Sequence, residues 1–172
     1  MPSIPINNRL KNPLLNGAIN PRNNWVIDPL RNWQIDPARN WQIDPARNWQ
    51  INPARNWQIN PARNWQINPA RNWQINPARN WQVTPFRNSN FSGLFIFDRE
   101  NLICAYYGVL IANGQIMLLY NADSVICFFA VRRNTGFSIY SSDGVYAGHL
   151  ESNEQKGYNW FDAQGDWKYF VV

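Results

Sequence analysis

Two series of side chains have types and spacing suited to chemistry. Trp25, Trp33, Trp41, Trp49, Trp57, Trp65, Trp73 and Trp81 recur at every eighth residue, and Arg31, Arg39, Arg47, Arg55, Arg63, Arg71, Arg79 and Arg87 keep the same period. Indole rings stack on sugar faces and unpaired bases, and guanidinium groups pair with phosphate and other anions. Interleaved with Asn and Gln amides, the two series make a candidate surface for a glycan or a nucleic acid. The competing reading is structural, with the Trp row as the core of the repeats and Arg as a solvated turn residue. Like charges one coil apart would repel by only about 1 kcal/mol in a water-like dielectric. Asp28, Asp36 and Asp44 or stacking on Trp would offset that cost. The pattern favours the structural reading.

The sequence is otherwise poor in reactive groups. It holds one histidine, His149, and two cysteines, Cys104 and Cys127, which make neither a disulfide framework nor a four-ligand zinc pattern. Free thiols are expected. No G-x-S-x-G, Walker, H-E-x-x-H or Rossmann fingerprint occurs. His149 reads as a packed strand residue, and Asp98, Asp123, Asp143, Asp162 and Asp166 lie near turns, where Asp serves through local hydrogen bonds. The expectation is a non-enzymatic chain without catalytic residues, cofactor or metal.

These residues lie in two unlike segments. All 12 prolines fall at or before Pro85 and 8 of the 9 glycines at or after Gly93. Residues 1–90 carry 11 Lys and Arg against 3 Asp, and residues 91–172 carry 5 against 8 acidic groups, so net charges of +8 and −3 make up the total of +5. A polyanion-binding face or head-to-tail association of basic on acidic surfaces would follow from such an asymmetry. The start, MPSIPINNRLKNP, lacks the basic and apolar regions of a signal peptide, and no run is long enough for a membrane span. The default expectation is a cytoplasmic protein with no membrane partner.

From Ile27 to Gln82 the octapeptide I-[ND]-P-[AL]-R-N-W-Q occurs seven times without a gap, with looser copies from Lys11, Ile19 and Val83. Asn-Pro begins a type I turn, and Asn-Trp-Gln-Ile alternates as a half-buried strand does, with Trp and Ile on one face. Two units would close a 16-residue coil, predicting a β-solenoid cored by Trp and Ile over 27–90, with degenerate repeats and a cap over 1–26.

Residues 91–172 predict a separate β domain built on a longer repeat. FDRENLICAY from Phe97, YNADSVICFF from Tyr120, YSSDGVYAGH from Tyr140 and FDAQGDWKYF from Phe161 align, each reaching a turn pair three residues on: Glu100-Asn101, Asp123-Ser124, Asp143-Gly144 and Gln164-Gly165. Leu94 and Ile96, Met117 and Leu119, Phe137 and Ile139, and Tyr158 and Trp160 read as the inward faces of first strands. Cys104, Cys127 and Ala147 occupy a shared small position on the second strands, which Lys168 breaks. This segment resembles the bacterial family described as the four-fold beta flower. Gly144-Val145-Tyr146-Ala147-Gly148-His149 carries the closest likeness, and Glu100-Asn101, Asp123-Ser124 and Lys168 depart from the pattern. The resemblance implies a small pseudo-four-fold β domain of hairpins found beside other modules, and it brings no activity.

The expected fold class is thus all-β, a solenoid rod followed by a β-flower head. The expected function is structural or interactive: a rod that presents or polymerises its head as a homo-oligomer or with a protein partner. The alternative is a binding module for glycan or nucleic acid through the Trp and Arg series.

Overall fold

The structure, a computed structural model, describes residues 9–83, 94–153 and 156–172. Eight antiparallel strands follow one another in the second segment: β1 (Leu94–Asp98), β2 (Cys104–Ile111), β3 (Ile116–Tyr120), β4 (Ile126–Arg133), β5 (Gly136–Ser141), β6 (Tyr146–Ser152), β7 (Tyr158–Asp162) and β8 (Trp167–Val171). Each pairs with its neighbours in sequence, and β8 pairs back onto β1 through Ile96–Val171 and Phe97–Phe170, closing a barrel. Closure leaves no sheet edge.

Four hairpins repeat around this barrel, and each carries a bulge just before its aromatic residue, at Ile96/Phe97, Leu119/Tyr120, Ile139/Tyr140 and Trp160/Phe161. The turns need one residue at positive φ, supplied by Leu102, Ser124, Gly144 and Gly165. A polar side chain opens each turn. Asp98, Asn121 and Asp162 accept from two backbone N–H groups apiece, and Ser141 Oγ accepts from Val145 N. The first turn is one residue longer, so Cys104 pairs with Phe97 on the outer face and Ala105 takes the bulge position held elsewhere by Cys127. Cys104 therefore leaves the shared small position that the alignment gives it. Both thiols are free, and burial pushes that of Cys104 up to about 11.

Side chains fill the barrel. Ile96, Met117, Leu119, Phe137, Ile139, Leu150 and Trp160 pack inside with Leu94, Tyr106, Phe128, Tyr158 and Tyr169 against them. Its outer surface is also apolar. One outer cluster gathers Ile116, Leu118, Tyr120, Phe129, Val131 and Tyr140, and another gathers Phe95, Phe97, Tyr107, Phe161, Trp167 and Phe170. Such a surface requires a cover.

The octapeptide array is that cover. Each unit is a pair of tight turns, as residues 52–60 show. Asn52 Oδ1 accepts from Ala54 N at 2.9 Å, and Asn52 O accepts from Arg55 N and Asn56 N at 3.1 and 2.8 Å. Asn56 is extended (φ −108, ψ 102) and its Oδ1 accepts from Gln58 N, capping a 3-10 turn over Trp57–Ile59 that Asn60 N closes onto Trp57 O. Asn56 Nδ2 donates to Gln50 O, 2.7 Å away in the preceding unit. The same pattern runs from Gly17–Ile19 to Trp81–Val83. Backbone bonds in the described array all close within three or four residues, and side chains link the units.

The solenoid with two units per 16-residue coil is thereby overturned: the array consists of 3-10 turns and contains no strand among the described residues. The reason lies in Asn. Its side chain captures N–H groups that a strand would offer to its neighbours, and eight residues close locally. The rod-and-flower fold class is overturned with it, since the all-β part is a closed eight-stranded barrel and the array lies along its outer wall. The array touches that wall at alternate strands. Asn159 Nδ2 on β7 donates to Ile27 O, the Tyr140 hydroxyl on β5 donates to Ile59 O, and the Tyr120 hydroxyl on β3 donates to Val83 O. Ile27, Ile35, Ile43, Ile51, Ile59 and Ile75 are buried in this course.

Candidate functional site

The 3-10 turn decides which side of each unit faces outward. With three residues per turn, residues two apart point about 120° from each other, whereas on a strand they would share a face. Ile at the third position goes to the barrel and Trp at the first goes to solvent. All eight Trp of the series are 51–57% exposed, so the expectation that Trp57 and its equivalents are buried is corrected. By contrast Trp160 and Trp167, in the barrel, are buried. Gln and Arg of each complete unit are exposed as well. The structure thus gathers Trp25, Trp33, Trp41, Trp49, Trp57, Trp65, Trp73 and Trp81 into one solvent-facing series, with Arg31 to Arg79 exposed beside it; Arg87 lies outside the described residues.

The arginines are of two kinds. In units with Asp, Nε of Arg31, Arg39 and Arg47 donates to Oδ2 of Asp28, Asp36 and Asp44 at 2.7, 2.8 and 2.7 Å. Their Nη2 atoms donate to the carbonyls of Pro21, Pro29 and Pro37, ten residues back. Each guanidinium is a latch between consecutive units. In units with Asn the carboxylate is gone. Arg55, Arg63, Arg71 and Arg79 are exposed, and their guanidinium groups make no hydrogen bond or ion pair among the described residues. Asn68 Nδ2 bonds the Pro61 carbonyl at 3.4 Å.

Beneath the array, the barrel wall carries a buried polar seam. Arg133 and Glu151 form an ion pair buried on both sides, to which Thr135 Oγ1 adds a bond to Glu151 Oε2 at 2.9 Å and accepts one from Arg133 Nη1 at 3.0 Å. Burial lowers the Arg133 pKa to about 10. His149 is stacked on Phe161 at 5.4 Å, with Nδ1 3.4 Å from the Tyr146 hydroxyl. Burial first, and the Arg133 charge second, push His149 down to about 3, so it is neutral at pH 7. Burial raises Tyr146 to about 12, and Tyr140 is raised for the same reason. A cleft of about 530 Å³ lies between this seam and the Pro-Ala turns of Pro37–Ala38, Pro45–Ala46 and Pro53–Ala54. His149, Tyr140 and Tyr146 line it, but the hydroxyl of Tyr140 is engaged with Ile59 O. Ring packing and burial give His149 the environment of a structural residue. No group of three or more His, Cys, Asp or Glu suited to a metal ion occurs among the described residues, and no helix there is long and apolar enough to cross a membrane.

Comparison with protein-family models, with curated proteins and with solved structures finds no match to this chain. Sequence patterns single out the Trp and Arg series, and the split between latched and unlatched Arg is written in the Asp-to-Asn change at the second unit position. Tyr140, Asn159, Arg133 and Glu151 carry no such signal, because the Asn159 partner, Ile27, is 132 residues away.

Proposed function

We propose that the protein is a non-enzymatic interaction module that holds an extended partner along the Trp-Gln-Arg face of its array. One observation supports this above all: eight large aromatic rings stay half exposed at a constant period on a turn scaffold whose other side is fastened to the barrel. Trp and Arg are the residues that dominate binding interfaces, because each combines a large contact area with polar reach. A scaffold clamped by the barrel presents them without the ordering cost of a flexible segment.

Self-association is the competing use of the same face. Strand addition is not its route, because the barrel is closed and the array offers no strands among the described residues.

The test is tryptophan emission and iodide quenching of the full chain, with light scattering on the same samples. Mixing with an extended polymer, either oligothymidylate, a sulfated glycan or a neutral glycan, should shift emission to the blue and protect the rings. The paired substitution Trp57→Ala and Trp65→Ala should weaken that binding at least tenfold with the far-ultraviolet spectrum unchanged. A monomer that leaves its rings quenchable with every polymer overturns the proposal, and concentration-dependent protection without any polymer assigns the face to a second copy.

A further inference from the structure

The array contains an electrical boundary that its shape does not show. Residues 27–50 balance Arg31, Arg39 and Arg47 against Asp28, Asp36 and Asp44, whereas residues 51–82 carry Arg55, Arg63, Arg71 and Arg79 with no acidic residue. Geometry deepens the difference. In the first group every Nε is held by a carboxylate and every Nη2 by a carbonyl ten residues back, so those guanidinium groups are committed within the protein. In the second, the residue at the Asp position is Asn52, Asn60, Asn68 or Asn76, whose Oδ1 keeps the turn-opening bond to Ala54, Ala62, Ala70 or Ala78. The Asn units therefore keep the fold of the Asp units and release the cation.

We propose that residues 51–82 form a binding site for single-stranded nucleic acid, with Trp57, Trp65, Trp73 and Trp81 stacking bases and Arg55, Arg63, Arg71 and Arg79 pairing phosphates. This rests on the interaction reading above and narrows it to one partner class and one half of the array. Array unit and nucleotide match in stoichiometry. Each Asn unit offers one exposed ring and one uncommitted cation. A nucleotide of a single strand offers one flat base and one singly charged phosphate, and proteins that hold single strands combine these two contacts. A neutral glycan would leave the four cations without a partner, and a sulfated one carries charge on rings that lack a base's π face. Units 27–50 provide rings without free cations and act as a weaker extension.

The substitution that tests this exchanges one isosteric atom group per unit. Asn52→Asp, Asn60→Asp, Asn68→Asp and Asn76→Asp together install the carboxylate that latches Arg in the other units. The full chain is titrated into fluorescein-labelled oligothymidylate of 30 nucleotides at two salt concentrations, with thermal melting as a check on folding. The native chain should bind with a logarithmic salt slope of about 3, the release expected for four phosphate contacts on a single strand. The quadruple variant should melt no lower, lose at least tenfold in affinity and show a flatter slope. Asp28→Asn, Asp36→Asn and Asp44→Asn together should tighten binding and steepen the slope. Equal binding by the native chain and the quadruple variant overturns the proposal. A sulfated glycan bound through the Trp row while oligothymidylate is ignored also overturns it and leaves the interaction reading standing. Failure of the Trp57→Ala and Trp65→Ala pair to affect any polymer removes the interaction reading itself.

Discussion

The array and the barrel are both repetitive, yet they use repetition in opposite ways. Array units are almost identical and satisfy their backbone locally through Asn caps, and Ile59 and Ile75 are buried in a cluster they share with barrel side chains. The four hairpins share a turn, a bulge and an aromatic position but little identity, and they bury two sets of side chains, one inside and one beneath the array. Identity suits units that each meet solvent in the same way. Divergence suits hairpins that must fill one closed interior, where every position has a different neighbour.

Separating the two regions should have the largest effect. Residues 91–172 expressed alone would expose Leu118, Tyr120, Phe129 and Tyr140, and residues 1–90 alone would expose the Ile row. Loss of cooperative melting, dye binding typical of exposed apolar surface and aggregation are expected from the barrel fragment, and loss of the regular turn signal in circular dichroism from the array. A barrel fragment that melts like the full chain would show that the array contributes nothing to folding.

Within the seam, Glu151→Leu leaves Arg133 buried without its carboxylate and should cost about 3 to 5 kcal/mol in urea unfolding. The double variant with Arg133→Met should recover most of that loss, because an apolar pair removes the stranded charge. If the double variant is no better than the single one, the ion pair contributes a specific orientation beyond its charge balance.

The two faces of one array unit are separated by a matched pair. Ile59→Ala opens a void against the barrel and should cost about 2 to 5 kcal/mol. Trp57→Ala, from a half-exposed position, should cost about 1 kcal/mol. Reversal of that order in chemical denaturation would place Trp on the inner face.

The seam also carries a pH dependence, about 2 kcal/mol between pH 7 and 5. His149 binds a proton near 6.5 when unfolded and only near 3 when folded, so the unfolded chain holds more protons between those values. Stability is therefore full above about pH 6.5 and falls as pH drops toward 3, by at most about 1.4 kcal/mol per pH unit from this group. His149→Gln should flatten the melting temperature between pH 7 and 5. An unchanged slope would mean that His149 is reached by water and that the seam is less closed than its packing shows.

Local chemistry was legible to the extent that the chemistry stayed local. Asx turns at Asn-Pro, the hairpin turns at Asp143-Gly144 and Gln164-Gly165, and the inward set from Leu94 to Trp160 follow from short-range rules of φ preference and alternation. The assignment of Trp57 to a core failed on one such rule. A four-residue alternation fits a strand, but Asn56 capping Gln58 N turns the same residues into a 3-10 turn and sends Trp57 and Ile59 apart.

By itself the sequence determined the period of eight, the Pro and Asn corners, the two charge classes of unit and the four hairpin turns, since each depends on residues within a few positions of one another. Tertiary structure alone decided that β8 returns to β1, that the array lies on the barrel wall, and hence that Ile is buried and Trp exposed. Those outcomes depend on where apolar area finds a partner. The partner of Ile59 is Tyr140, 81 residues further on, a distance over which no periodicity in the chain carries information.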